Sequence, residues 1–194
     1  MARALRIVVL GDSLAEGFGV APGEDYPALL EALLHREGVS CRVVNAGVSG
    51  DTCRGASARL GRVLSVSPDL VVVEIGLNDI LMGAMPERIR ACVTRILERL
   101  ASEGVAAVLA GMVLPETGDP DTERDFADLY AAAARDAGAV LLPAFNRPAF
   151  ECRDGLQFDG LHPTSEGYRA IAANSLPHVV RAIGRLAEGG GRDA

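Results

Sequence analysis

The chain has 194 residues, 49% of them hydrophobic and 23% charged, with a formal net charge of −7 and a pI near 5.0. That length carries one sizeable core without a second domain. The acidic balance offers no basic surface for a phosphate backbone, so no nucleic-acid partner is expected, and no apolar run approaches the ~18 residues of a membrane span.

In chain order, short β-branched runs alternate with longer helical patterns. LRIVVL (5–10) reads as a buried strand closed by Gly11. YPALLEALLHREG (26–38) has apolar residues at helical spacing, an early proline and a glycine stop. CRVVNAG (41–47) is a second strand, and DTCRGASARLGRVLSV (51–66) a weaker helix with two glycines. DLVVVEIG (69–76) is solidly apolar, as a strand covered on both faces must be. PERIRACVTRILERLASEG (86–104) opens on proline and closes on glycine, VAAVLAGMVL (105–114) is a fourth strand, and TERDFADLYAAAARDAG (122–138) a helix with an acidic first turn. AVLLPAF (139–145) is the fifth strand. Residues 146–162 read as irregular, and a final helix carries Pro177.

Five strands separated by helices imply a parallel sheet with helices on both faces. The expected fold is a flavodoxin-like three-layer α/β/α sandwich of order 2-1-3-4-5, with residues 1–188 as one domain and 189–194 as a flexible tail. Ligands of such sheets sit beyond the carboxyl ends of the strands, which says where chemistry should collect.

Cys41, Cys53, Cys92 and Cys152 are scattered without C-x-x-C spacing and are expected as buried free thiols. No His/Cys pair has ligand spacing and H-E-x-x-H is absent, so neither metal nor cofactor is expected. The N-terminus, MARALRIVVLGDS, has too short an apolar run for a signal peptide. The chain as written therefore reads as cytoplasmic, or as exported if a leader has been removed.

Three polar, glycine-containing segments follow the first three strands: GDSLAEG (11–17), NAGVSGDT (45–52) and GLND (76–79). Taken singly, each also fits a plain turn or helix cap. Together with FDGLHPTSEG (158–167) they suggest more. Serine needs a base to take its proton, and the base needs a third group to orient it. Ser13 ends the first strand, His162 can be the base, and Asp159 three residues upstream can hold its imidazole. His35, within a helix, and His178, on the last helix, fit badly. The backbone N–H of Gly47 and the amide of Asn78 are placed to bind a developing oxyanion.

These four blocks, in this order, resemble the GDSL esterases, or SGNH hydrolases, and the resemblance covers nearly the whole chain. The branch most similar is that of the small bacterial acyl-CoA thioesterase I/lysophospholipase and arylesterase enzymes. The resemblance implies a Ser13–His162–Asp159 triad, an oxyanion hole from the Ser13 and Gly47 N–H groups and the Asn78 side chain, and cofactor-free hydrolysis of small-molecule carboxylic esters. Esters of short-chain acids or of aryl alcohols are expected, with thioesters and lysophospholipids as further candidates. One departure bears on substrate size. After the fourth strand, that branch usually has a longer loop with an Asn-Tyr-Gly element, whereas LPETGDPDTE is short and carries Glu116, Asp119, Asp121 and Glu123. Such a loop predicts an acidic rim that disfavours long acyl chains and CoA.

Two rival readings differ in what they require. A carbohydrate O-acetyl esterase would use the same residues in an aromatic-lined cleft, and with no Trp, three Tyr and five Phe the platforms are scarce. A flavodoxin-like binding module would need a phosphate-cradling loop after the first strand, and GDSLAEG is not G-x-G-x-x-G. Nothing in the sequence fixes the oligomeric state.

Overall fold

The computed structural model describes residues 3–114 and 120–189. Five parallel strands, β1 (Leu5–Gly11), β2 (Cys41–Gly47), β3 (Leu70–Glu74), β4 (Ala106–Ala110) and β5 (Val140–Leu142), form one sheet of order β2-β1-β3-β4-β5. The expected fold and strand order are those observed. Ile7–Leu10 of β1 and Leu70–Val73 of β3 are fully buried, because helices cover both faces of the sheet centre. Edge strand β2 instead alternates at its start, with Cys41 and Val43 inward and Arg42 outward.

Around the sheet lie α1 (Ser13–Glu16), α2 (Tyr26–Arg36), α3 (Cys53–Leu64), α4 (Leu77–Leu81), α5 (Pro86–Ser102), α6 (Pro120–Asp136), α7 (Arg147–Glu151) and α8 (Ser165–Gly189). Helices α2 and α8 pack together on one side, with α3, α5 and α6 on the other. Local chemistry starts the helices where the sequence suggests. Asp25 caps α2 by accepting the Ala28 N–H at 3.1 Å, and Thr52 caps α3 through the Gly55 N–H. The segment expected to be irregular contains α7, and α8 runs to Gly189, into the expected tail, whose residues 190–194 lie outside the described residues. Cys41, Cys53 and Cys92 are buried and free, while Cys152 is free and only partly buried. Among the described residues, no helix is long and apolar enough to cross a membrane.

Register positions everything that follows. Gly11 of β1 pairs with Gly47 of β2 and with Glu74 of β3, so these three strands end flush. The segments leaving them share one edge of the sheet. The chain after β5 returns there through α7 and a loop closed by an antiparallel bridge between Leu156 and Pro163.

Candidate active site

Ser13 is the first residue of α1, directly after β1. Three of the next donors are already used: the Leu14 N–H goes to Asp12 Oδ1 at 3.0 Å, the Glu16 N–H to the Asp12 carbonyl at 2.9 Å, and the Ala15 N–H to the Glu74 carboxyl. The Ser13 N–H, at the first helical position, has no i−4 carbonyl to reach. It is the donor left over. The turn is packed tightly from behind, since a Cβ at Gly11 would meet the Glu74 carboxylate and the Ala15 side chain.

The loop bearing Asp159 and His162 is shaped by its own hydrogen bonds. Gln157 N–H donates to the His162 carbonyl at 2.7 Å, and the Gln157 amide donates to the carbonyls of Phe18 (2.7 Å) and Pro163 (2.8 Å). Asp159 Oδ1 accepts both the Leu161 and the His162 N–H at 3.0 Å, an Asx-type turn that needs the short acidic side chain. The remaining oxygen, Oδ2, lies 2.6 Å from His162 Nδ1, and His162 Nε2 lies 3.0 Å from Ser13 Oγ. A carboxylate can only accept, so Nδ1 carries the hydrogen and Nε2 offers its lone pair to the Ser13 hydroxyl. The Phe18 ring leans on the imidazole with centroids 4.5 Å apart. Partial desolvation would raise the Asp159 carboxyl, but the two N–H donors and the imidazole outweigh it and bring it down to about 2.

Asn78 stands on α4, immediately after β3. Its amide donates to the Asp51 carbonyl at 2.8 Å and to Asp12 Oδ2 at 3.2 Å, so it spans the turn bearing Ser13 and the loop after β2. Gly76 makes this entry to α4 possible. It has φ +116°, and a Cβ there would collide with the Tyr130 hydroxyl, which donates to the Ile75 carbonyl at 2.9 Å. Asp79 is a cap, though for another helix: its carboxylate accepts the Cys53 N–H at the start of α3.

Gly47 is placed differently from Asn78. Its N–H donates to Asn45 Oδ1 at 2.9 Å, and a Cβ at Gly47 would run into the Glu16 backbone. Three residues on, Gly50 (φ +76°) is the third residue of the Val48–Asp51 turn, where a positive φ favours glycine. Its N–H has no hydrogen-bond partner among the described residues. His35 donates its Nε2–H to the Cys41 carbonyl at 2.8 Å, and His178 is on α8.

Sequence reasoning passed over two buried carboxyls and one arginine. Asp12 is 1% exposed, and burial pushes it up to about 6 despite the Leu14 N–H and the nearby His162. Glu74 is fully buried beside it. Burial first, then the Asp12 charge, holds it well above the ordinary glutamate value, and Oε1 has no partner. A glutamate inside an otherwise apolar strand, VVVEIG, was the available signal. Arg59, on α3, reaches the ends of β1 and β2. Among the described residues, no group of three or more His, Cys, Asp or Glu side chains could hold a metal ion.

The assembled geometry has counterparts in known proteins. Residues 9–170 match the GDSL-like Lipase/Acylhydrolase family. Esterase TesA of Pseudomonas aeruginosa is 33% identical over 91% of this chain and 88% of its own length. Thioesterase 1/protease 1/lysophospholipase L1 of Escherichia coli K12 is 31% identical over 88% of this chain and 81% of its own. A crystal structure of TesA superposes with a TM-score of 0.87 at 32% identity, covering 91% of this chain and 99% of that one. A match over most of the chain, carried by both sequence and fold, makes this protein an enzyme of the GDSL-like lipase/acylhydrolase family.

Proposed function

We propose that the chain is a serine ester hydrolase acting through a Ser13–His162–Asp159 triad and an acyl-enzyme intermediate. The observation that carries this reading is the unbroken hydroxyl–imidazole–carboxylate chain, at 3.0 and 2.6 Å, on the sheet edge that also bears the Asn78 amide. His162 Nε2 takes the Ser13 proton as Oγ attacks the ester carbonyl, and then returns it to the leaving alcohol. Water repeats the cycle to release the acid. Asp159 fixes the imidazole tautomer and faces the imidazolium as it forms.

The tetrahedral oxyanion needs donors that are free or that a weak contact releases. The Ser13 N–H is free, and the Asn78 amide serves by releasing its longer contact, 3.2 Å to Asp12 Oδ2, while the 2.8 Å bond to the Asp51 carbonyl holds it in place. For the third we assign the N–H of Gly50 rather than that of Gly47, because the Gly47 N–H is already donated to Asn45. Substrates are small carboxylic esters, of short acyl chains or aryl alcohols. The names of the relatives extend the candidates to thioesters and lysophospholipids.

A panel of p-nitrophenyl esters, acyl-CoAs, lysophospholipids and acetylated sugars, run with wild type and Ser13→Ala, tests the reading. Ester hydrolysis that disappears in Ser13→Ala is expected. Equal turnover by a folded Ser13→Ala protein would overturn it, and exclusive action on acetylated sugars would move the assignment to a carbohydrate esterase.

A further inference from the structure

Arg59 makes three hydrogen bonds to three different segments, and each segment belongs to the site. Its Nε donates to Asp51 Oδ2 at 2.7 Å, Nη1 to the Ala46 carbonyl at 2.5 Å and Nη2 to the Gly11 carbonyl at 2.7 Å. Gly11 ends β1 two residues before Ser13, Ala46 lies at the end of β2, and Asp51 closes the turn that contains Gly50. The Asp51 carbonyl in turn accepts the Asn78 amide at 2.8 Å. A path of hydrogen bonds therefore runs from the guanidinium through Asp51 to Asn78, with a branch to the strand that delivers Ser13.

We propose that Arg59 is a positioning residue for the oxyanion-binding edge: one guanidinium that sets the spacing between the nucleophile turn and the 48–52 loop. The inference rests on the ester-hydrolase reading above and deepens it. Two physical effects follow from the geometry. Carbonyl dipoles at the carboxyl end of a parallel sheet present partial negative charge where an oxyanion would develop, and Arg59 covers two of them, Gly11 and Ala46. Its pairing with Asp51 also fixes the loop. Both side chains are mostly withdrawn from water, at 22% and 11% exposed, so the contact is less screened than a surface pair. Asp51 is pressed close from the other side as well, since a Cβ at Gly55 would collide with its carboxylate. Lysine cannot take over this task, because a compact ammonium lacks the planar fork that reaches three acceptors at once.

The test uses the full chain as wild type, Arg59→Ala and Arg59→Lys, with two independent readouts. The first is kcat and KM for p-nitrophenyl acetate, with and without added ethylguanidinium. Misplacement by about 1 Å costs ~10²-fold, so Arg59→Ala should lose kcat on that order while KM changes far less. Ethylguanidinium should restore part of the loss, and Arg59→Lys should remain impaired. The second readout is amide hydrogen exchange at residues 48–52, which needs no activity. Exchange there should accelerate in both variants and slow again in Arg59→Ala with ethylguanidinium, while β3 stays protected. Unchanged exchange at 48–52, or a folded variant with wild-type kcat, would overturn the proposal. If Arg59→Ala does not fold, Arg59→Lys carries both readouts. If wild type hydrolyses no ester, the ester reading fails on its own and the exchange experiment still decides whether Arg59 orders the loop.

Discussion

The Asn78 amide donates to Asp12 Oδ2 at 3.2 Å, while Asp12 Oδ1 holds the Leu14 N–H at 3.0 Å. One buried carboxyl thus fastens the proposed oxyanion donor to the turn that presents Ser13. Replacing Asn78 by Ala should lower kcat by about 10²–10³, the usual loss for one such donor, with little change in KM. Asp12→Asn should also be costly despite its shape, because an amide NH₂ opposite the Asn78 NH₂ sets donor against donor. Steady-state kinetics on one ester would check both. An unchanged kcat in Asn78→Ala would leave the residue as the entry to α4 and no more.

The proposed triad should behave as a unit. Ser13→Ala and His162→Ala should each fold and lose several orders of magnitude in kcat, and Asp159→Asn should lose about 10⁴ if it follows other triads. Near-wild-type kcat in a folded His162→Ala protein would exclude His162 as the base.

The buried carboxyls give stability a pH dependence of the opposite sign to that of Asp159. Asp12 is raised from 3.8 to about 6, so its favourable contribution is present below 3.8 and disappears as pH climbs through about 6. Glu74, raised well above 4.5 by burial first and then by Asp12, loses its contribution in the same direction as pH climbs above 4.5. Asp159, lowered to about 2, contributes above 3.8 and loses that as pH falls toward 2. Glu74→Gln removes a carboxyl whose charged form burial disfavours. The melting temperature of this variant, relative to wild type, should therefore rise as pH climbs above 4.5, where the unfolded chain releases the Glu74 proton and the folded chain holds it. A difference that does not vary with pH would mean that Glu74 is not the strained group.

Much of this was legible in the chain. The apolar runs of β1 and β3 and the helical spacing between them fix the doubly wound order, and that order alone brings GDSL, SGDT and GLND to one edge. What stayed hidden depends on contacts without a period. Helices α4 and α7 have five residues each, too few to display helical spacing. Gly47 and Gly50 look equivalent in NAGVSGDT, and only the Asn45 side chain, folded onto the Gly47 N–H, separates them. Arg59 reads as an ordinary polar residue on an amphipathic helix until the strand ends are placed around it. Of the four acidic residues expected to form a rim after β4, Glu116 and Asp119 lie outside the described residues.

Gly76→Ala should destabilise the fold by about 1–3 kcal/mol through its backbone conformation alone, with a further cost from the Tyr130 hydroxyl. Tyr130→Phe removes that oxygen, at the expense of its bond to the Ile75 carbonyl. The double variant should then be less destabilised than the sum of the two single variants, as expected for residues in contact. Urea unfolding of all four proteins gives the coupling directly. Strict additivity would show that the hydroxyl moves away freely and that strain at φ +116° is the whole cost.

Acyl length is the remaining question of substrate, and the surface near the site bears on it. Phe18, Val48, Leu81, Met82, Met85 and Phe158 are all exposed, and all belong to segments that leave strand ends or flank Asp159 and His162. Side chains standing open to water form a surface that a chain can lie on, not a sleeve that encloses it. A methylene fully removed from water contributes about 0.8 kcal/mol, or roughly fourfold in binding, and one resting on an open surface contributes less. Farther along the edge, Glu123 lines a cavity with Met112, Leu114 and Arg147, so an acidic group meets any long chain that extends that way. The acidic chain should also repel CoA at low ionic strength. Short esters, from acetyl to about hexanoyl on general size grounds, should therefore show the highest kcat/KM, with little gain per added methylene and poor use of long acyl-CoAs. An even-numbered series of p-nitrophenyl esters and acyl-CoAs, measured at two salt concentrations, separates the contributions. A steady rise toward palmitoyl esters would mean that the exposed apolar residues close over the chain, and the short-ester expectation would then be wrong.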